Sequence, residues 1–245
     1  MSAKGAGLGV VLAIVSAGFV PGFGLGGTPE APETGMVVWT SGAGFAGIIV
    51  ATGTLDGLID DWVPGDFLRV LNSPFPLELG DLVTFDTVGS SGGAIAIPVA
   101  KIGSSTVITG PRDGPVEVAA SSSVLIADAA ITGKVTVKGG ILVIIGNSVI
   151  DGKVDIDNGS TVVIVKTASG APKINGKIES FTKNFIFIRG CEIEGKVTSN
   201  QDNYVEIQNC IIGGKLELLS KPTNGCNVSN NTVTGKVSVP AECTR

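Results

Sequence analysis

A short glycine-centred motif returns along the C-terminal half of the chain and limits the possible folds more than any other feature. In six places a glycine is followed by a lysine, with an aliphatic residue two positions before the glycine and another two positions after it. Successive glycines are 19, 24, 19, 19 and 21 residues apart. Such a period is typical of a solenoid whose repeats stack on one another. The glycines are Gly133, Gly152, Gly176, Gly195, Gly214 and Gly235.

A second apolar pair stands nine and seven residues before most of these glycines, for example Val124 and Ile126. Apolar residues at a spacing of two are typical of β-strands. The copy before Gly176 carries five extra residues within the stretch 166–172, whose small, polar composition predicts a loop. Five residues before the glycine, most copies have a residue that tolerates left-handed backbone, which predicts a turn there. These turn residues are Asp128, Asn147, Gly190, Asn209 and Asn230.

Together these features predict a parallel β-helix of about six to seven coils over residues 103–245, with coils about 4.8 Å apart. The apolar intervals do not follow the six-residue rule of left-handed helices, so a right-handed helix is expected. The sequence here resembles the right-handed parallel β-helix proteins, an architecture shared by pectate lyases, polysaccharide-cleaving phage tailspikes and many surface adhesins. The resemblance implies a fold and no single activity, because that scaffold hosts unrelated functions.

The N-terminal part of the chain contains three further segments. Residues 1–27 are apolar and glycine-rich; we expect an arm that inserts into an assembly, with an export signal and a membrane anchor as alternatives. Residues 28–35 are rich in Pro and Glu and predict a linker. Residues 36–102 contain strand-like runs separated by Gly and Pro, and resemble a five-stranded OB barrel of the cold-shock kind. The predicted fold is therefore all-β, with a small antiparallel β-barrel before the β-helix.

Charge and composition argue against several functions. The net charge of -5 disfavours nucleic acid, and the aromatic and basic positions that would bind it in an OB barrel are mostly missing. The chain has no histidine, which removes histidine-based triads and histidine metal ligands. Asp151, Asp155 and Asp157 share an outward face, but lysines lie among them and Arg189 is on another strand. An alternating charged surface is favoured over a pectate-lyase-like acidic site, so no enzyme activity, metal or cofactor is predicted.

The repeat lysines are expected to form a ladder on one face of the β-helix, one per coil. Such a ladder is a candidate surface for an acidic polysaccharide or another polyanion. The favoured interpretation is a solvated face, because Asp155, Glu179 and Glu217 lie two residues beyond their lysines and can pair with them. The ladder consists of Lys134, Lys153, Lys177, Lys196, Lys215 and Lys236.

An apolar stripe is expected on the outside of another strand. If the residues at nine and seven positions before the glycine point inward, the residue between them points outward. In four consecutive coils that residue is apolar: Leu125, Ile144, Ile164 and Phe187. An exposed apolar stripe would pack on a second copy or on the N-terminal barrel, so it predicts oligomerisation.

The cysteines are placed for two possible disulfides. Cys191 and Cys210 are 19 residues apart and should stack on adjacent coils, within disulfide range. Cys226 occupies a core position, and Cys243 follows nearly one coil later. Bridges would indicate an oxidising compartment, and buried thiols are the alternative for the first pair.

These observations favour a non-enzymatic structural protein of an assembly, in a virion or at an extracellular surface, such as a phage tail spike, fibre or decoration subunit. The expected partners are further copies of the chain, with a trimer favoured by analogy, and other structural proteins; a cell-surface glycan is a further candidate. One alternative is a secreted carbohydrate-binding or carbohydrate-cleaving β-helix protein. Another is a polymerising cytoskeletal β-helix resembling the bactofilins.

Overall fold

The structure, a computed structural model, describes residues 34–40, 45–52, 67–71, 73–88 and 95–244. The chain divides into two compact units, Met1–Ser105 and Thr106–Arg245. The predicted arm, residues 1–27, lies outside the described residues. Of the predicted linker, only Thr34 and Gly35 are described, and they begin the first strand.

The first unit contains a closed barrel of five strands. Its order is β1-β2-β3-β5-β4, in which β3 and β5 pair in parallel and the other pairs are antiparallel. Asp81 is almost fully buried, and its carboxylate pairs with Lys101 at 2.6 Å and accepts the Glu78 amide at 2.8 Å. The barrel strands are β1 (Thr34–Thr40), β2 (Phe45–Thr52), β3 (Phe67–Leu71), β4 (Asp81–Val88) and β5 (Ile95–Ser104).

The second unit consists of short strands separated by turns, with one short 3-10 helix, η1 (Ala241–Cys243), near its end. The strands are β6 (Thr106–Ile108), β7 (Val116–Val118), β8 (Ser123–Ala127), β9 (Ala130–Ile131), β10 (Val135–Lys138), β11 (Ile141–Ile145), β12 (Val149–Ile150), β13 (Val154–Asp157), β14 (Thr161–Val165), β15 (Lys173–Ile174), β16 (Ile178–Phe181), β17 (Phe185–Arg189), β18 (Glu192–Ile193), β19 (Val197–Asn200), β20 (Tyr204–Gln208), β21 (Ile211–Ile212), β22 (Leu216–Leu218), β23 (Cys226–Ser229), β24 (Thr232–Val233) and β25 (Val237–Ser238).

These strands form three parallel sheets, and the neighbour of each strand comes from the adjacent coil. Sheet 1 has the order β7-β10-β13-β16-β19-β22-β25, and sheet 2 the order β6-β8-β11-β14-β17-β20-β23. Sheet 3 has the order β9-β12-β15-β18-β21-β24. The unit is therefore a parallel β-solenoid of about seven coils, which confirms the fold predicted from the repeat.

The aliphatic residues of the repeat fill the interior of the solenoid in columns. The residue two before each glycine lies in sheet 3, as Ile150 and Ile174 do, and the residue two after it lies in sheet 1, as Val154 does. All three are fully buried. Burial of a side chain of this size stabilises the fold by about 1.5–3 kcal/mol, so the columns supply most of the driving force for stacking.

The repeat glycines are required by the close approach of successive backbones. A Cβ atom added to Gly195 would lie 2.5 Å from the carbonyl oxygen of Gly176, and one added to Gly214 would lie 2.7 Å from the backbone of Gly195. The amides of Gly195, Gly214 and Gly235 also donate to the carbonyl of the preceding repeat glycine, at 3.1, 3.1 and 3.0 Å. A side chain at this corner would therefore push two coils apart.

One coil differs in register from the prediction. Five positions separate Val137 from Leu142, whereas six separate Val118 from Val124. The shorter connection passes through Gly139, at a φ of 77°, and Gly140, where a Cβ atom would lie 2.5 Å from a backbone oxygen. The next turn is longer by one residue. Its left-handed residue is consequently Gly146 and not the predicted Asn147, while Asp128, Gly190, Asn209 and Asn230 have positive φ as expected.

The five-residue insertion forms a small loop at one corner of the solenoid. Thr167 and Gly170 pair with each other through two backbone hydrogen bonds, of 2.8 and 3.2 Å. The strands on either side keep their register, since Val165 pairs with Arg189 and Lys173 pairs with Glu192. The predicted loop is confirmed.

We expect Gly195→Ala to lower the free energy of unfolding by about 1–3 kcal/mol, the usual cost of forcing extra atoms into a packed site. The cause is the contact of the new methyl group with the Gly176 carbonyl oxygen. Urea unfolding followed by circular dichroism measures the difference. Glu194→Ala is the matched control, because Glu194 is exposed and adjacent. Equal stability of the two variants would contradict the proposed role of the glycine column.

Candidate functional site

The repeat lysines lie beside sheet 1, one in each coil, and most of them are paired with acids. Four of the six lysines take part in ion pairs on this face. The acids belong to an outward column of sheet 1 in which Asp155 is next to Glu179. The pairs are Lys153 with Asp155 at 2.7 Å, Lys177 with Glu179 at 2.6 Å, Lys196 with Glu179 at 2.9 Å and Lys215 with Glu217 at 3.9 Å.

Glu179 is the most enclosed acid of the ladder. Its side chain is only 13% exposed and lies between Lys177 of its own coil and Lys196 of the next coil. Burial alone would raise the pKa of Glu179, but hydrogen bonds from the two ammonium groups outweigh burial and lower it. The ladder therefore neutralises itself between coils, and less of its charge is available to an external polyanion.

The predicted stripe is half right in direction and wrong in exposure. Leu125 and Phe187 point away from the interior as expected, whereas Ile144 and Ile164 point into it, and all four are fully buried. Ile144 and Ile164 belong to the interior cluster, in register with Ile126 and Ile188. The one-residue shift at Gly139 and Gly140 accounts for the misplacement of Ile144. In β14 the prediction interchanged the residues that point inward and outward, because Val162 to Val165 are all apolar and show no alternation of apolar and polar residues.

The true outward column of sheet 2 is also buried. It contains Leu125, Val143, Val163 and Phe187, each 0% exposed, and continues to Glu206. These residues do not belong to the interior cluster. Sheet 2 is therefore buried on both faces, as parallel sheets commonly are. The argument for oligomerisation from an exposed stripe loses its basis.

The buried end of this column carries an ion pair that the sequence pattern did not reveal. The side chain of Glu206 is 5% exposed, and it pairs with Arg189 on the neighbouring strand β17. Phe187 stacks on the ring of Tyr204, with centroids 5.2 Å apart. Arg189 is therefore bound to Glu206 in sheet 2, whereas Asp155 and Asp157 lie in sheet 1.

The last coils contain one disulfide and two thiols. Cys226 and Cys243 are bonded, with Cα atoms 4.9 Å apart, and a bridge over this span contributes about 3 kcal/mol to stability. Cys191 and Cys210 are free and buried. Burial raises the pKa of the Cys191 thiol, and a hydrogen bond with Cys210 acts in the same direction. Cys191 and Cys210 are therefore buried thiols, which was the alternative to a disulfide between them.

A second unpredicted cluster surrounds Asp202, which lies inside the solenoid and is 1% exposed. One carboxylate oxygen accepts hydrogen bonds from Ser180 at 2.9 Å and Asn184 at 3.0 Å, and the other accepts one from Ser199 at 2.5 Å. Burial raises the pKa of Asp202, and hydrogen bonds from these three residues offset that effect only in part. The cluster joins two neighbouring coils: Ser180 lies in β16 and Asn184 directly before β17, whereas Ser199 lies in β19 and Asp202 in the turn before β20.

A signal for this cluster exists in the sequence. Ser180 and Ser199 occupy the inner column of sheet 1 in which Val137, Ile156 and Leu218 are apolar. Two hydroxyl groups stacked at a core position require polar partners, because unsatisfied buried hydroxyls are costly. The signal does not identify Asp202, which reaches the pair from a turn.

We expect Asp202→Asn to change how stability depends on pH. A raised pKa means that the folded chain holds this proton more tightly than the unfolded chain does. The stability gained from this proton is therefore fully present below pH 3.8, the ordinary pKa of an aspartate, and is lost as pH rises through the raised pKa of the folded chain. Each unit of that shift corresponds to about 1.4 kcal/mol. The unfolding free energy of the wild type, relative to Asp202→Asn, should therefore fall with rising pH.

Urea unfolding at a series of values between about pH 3 and pH 7 measures this difference. Asp157→Asn is the control for general effects of charge, because Asp157 is exposed. A difference between wild type and Asp202→Asn that is constant across the range would contradict burial of an ionisable Asp202.

The three aspartates considered as an acidic site have separate partners. Asp151 accepts a hydrogen bond from Asn175 at 2.8 Å, Asp155 pairs with Lys153, and Asp157 accepts the amide of Asn158 at 2.8 Å. Within the described residues, no group of three or more acidic or cysteine side chains is placed to hold a metal ion. In the same part of the chain, no helix is long and apolar enough to cross a membrane.

Comparison with known proteins identifies no family for this chain. No protein-family model, no curated protein and no solved structure matches it. The structure therefore supports the parallel β-solenoid itself, and no particular family of β-helix proteins.

Proposed function

We propose that the protein is a non-enzymatic structural subunit of an assembly at a virion or extracellular surface, such as a tail spike, fibre or decoration protein. The observation that carries the proposal is the interlocked stacking of the solenoid coils. Backbones meet at the glycine column, and aliphatic columns fill the interior. Such stacking suits a part that must stay rigid.

The cross-link on the last coil supports the location. Disulfides persist in secreted and surface proteins and are rare in reducing compartments. The bridge between Cys226 and Cys243 joins the final strand of sheet 2 to the segment after β25. Among the described residues, the last coil has a neighbouring coil on one side only, and the bridge cross-links this coil.

The barrel is proposed to be OB-like. The order β1-β2-β3-β5-β4 with a parallel β3–β5 pair is the arrangement expected of a five-stranded Greek-key barrel. We do not extend the nucleic-acid binding of OB barrels to this chain, since its net charge is -5.

A second candidate is a surface carbohydrate-binding role, and Phe181 is the observation that favours it. This residue is 40% exposed on the outer side of β16 and lies between Asp157 and Asn200 in the same column. An exposed aromatic ring with carboxylate and amide neighbours is a suitable surface for a sugar ring. Binding of acidic or neutral polysaccharides by the intact chain, lost in Phe181→Ala and retained in Leu219→Ala, would favour this role.

We expect the intact chain to assemble in solution and a chain beginning at Thr28 to form smaller species, because residues 1–27 are the predicted assembly arm. Multi-angle light scattering under non-reducing conditions measures both masses. Circular dichroism of the shortened chain controls for loss of fold. An intact chain that stays monomeric at all concentrations tested would contradict the structural proposal.

A further inference from the structure

The solenoid contains three asparagines that are each followed by a glycine. In such a pair the amide nitrogen of the glycine can attack the side-chain carbonyl carbon of the asparagine, because glycine has no side chain to obstruct the approach. The reaction requires an asparagine side chain that is free to turn towards the backbone and a glycine amide that no other acceptor holds. The pairs are Asn158-Gly159, Asn175-Gly176 and Asn224-Gly225, and the fold treats them differently.

The side chain of Asn175 is held in place at the glycine column. Its side-chain amide donates to Asp151 at 2.8 Å, and its backbone amide donates to the Ile150 carbonyl at 2.8 Å. The following Gly176 is packed against the backbone of Gly152, where an added Cβ atom would lie 2.4 Å from the carbonyl oxygen. Neither the side chain nor the backbone can therefore move into the geometry that attack requires.

Asn158 is exposed, but the glycine that follows it is bonded to the next coil. The amide of Gly159 donates to the Thr182 carbonyl at 3.1 Å, and the backbone amide of Asn158 donates to the side chain of Asp157 at 2.8 Å. Asn158 and Gly159 both have left-handed backbone, with φ of 62° and 74°. Attack by the Gly159 nitrogen would therefore break a hydrogen bond between coils.

Asn224 lies in an exposed turn before β23, and neither restraint applies to it. Among the described residues, its side chain has no hydrogen-bond partner. The amide of Gly225 reaches the Pro222 carbonyl at 3.4 Å, which is longer than an ordinary N–H···O hydrogen bond. A Cβ atom added to Gly225 would meet only the ring of Tyr204, at 3.7 Å, so the backbone there has room to move.

We propose that Asn224 is a site of spontaneous deamidation, a covalent modification whose only co-reactant is water. The Gly225 nitrogen bonds to Cγ of Asn224, the C–N bond of the side-chain amide breaks, and ammonia leaves with the proton of the glycine amide. Water then opens the resulting succinimide ring at one of its two carbonyl groups, which gives aspartate or isoaspartate. No oxidant or reductant takes part. The proposal does not depend on the structural role proposed above.

The modification would change how this turn is attached to the preceding coil. The Asn224 amide donates to the Asn203 carbonyl at 2.6 Å, and the Gly225 carbonyl accepts the Val205 amide at 3.4 Å. Isoaspartate adds a methylene group to the main chain between these two hydrogen bonds, directly before the disulfide-bonded Cys226. Both products also add a negative charge to a chain whose net charge is -5. Aged molecules would therefore differ from new ones at this turn.

The test is the rate of conversion at all three asparagines when the folded full chain is incubated at mildly alkaline pH. Peptide mass spectrometry, with fragmentation that distinguishes isoaspartate from aspartate, follows each site, and circular dichroism follows the fold. We expect Asn224 to convert about tenfold faster than Asn158 or Asn175, the factor that one retained hydrogen bond supplies. In the chain unfolded in urea, the three sites should convert at similar rates, because the dipeptide is the same.

Two matched variants identify the reacting side chain. Asn224→Gln should abolish the fast conversion, because the longer side chain would have to close a six-membered ring. Asn158→Gln makes the same change at another exposed turn and should leave the fast conversion intact. Equal rates at the three sites of the folded chain, faster conversion at Asn158 or Asn175 than at Asn224, or a fast conversion that persists in Asn224→Gln would each overturn the proposal.

Discussion

The contact between backbones at the glycine column is the constraint on which the rest of the solenoid depends. Because the Gly176 oxygen lies only 2.5 Å from the position that a Cβ of Gly195 would take, successive coils approach this closely only where the corner residue lacks a side chain. That approach places the strands of all three sheets at hydrogen-bonding distance. It also aligns the aliphatic residues two positions to either side of the glycine, which then fill adjacent columns.

The same constraint explains why the repeat could be interpreted from sequence. The glycine, its flanking aliphatics and the left-handed turn residues each serve a contact between neighbouring coils, so they recur with the coil. The pairing of ladder lysines with acids two residues further on follows from the same periodicity. Lys177 and Glu179 illustrate it: both recur with the coil, and both are found in contact.

Features that depend on contacts between unlike positions were not predictable in this way. In β11 every residue is apolar, so the sequence does not show which side chains point inward. The shortened turn at Gly139 and Gly140 decides the direction of Ile144. Glu206 interrupts an apolar column and Asp202 lies in a turn, and both bind residues of the preceding coil: Arg189 in the first case, Ser180 and Asn184 in the second. A single sequence shows that such a residue is unusual, but the fold is needed to show what surrounds it.

The loop at residues 166–172 shows where this architecture accepts variation. It adds five residues to one coil, closes on itself through Thr167 and Gly170, and leaves the strand register on both sides unchanged. Chain length at this corner is therefore decoupled from the stack. A lineage, or an engineer, can graft a recognition loop there and alter what the molecule displays while every coil keeps its place.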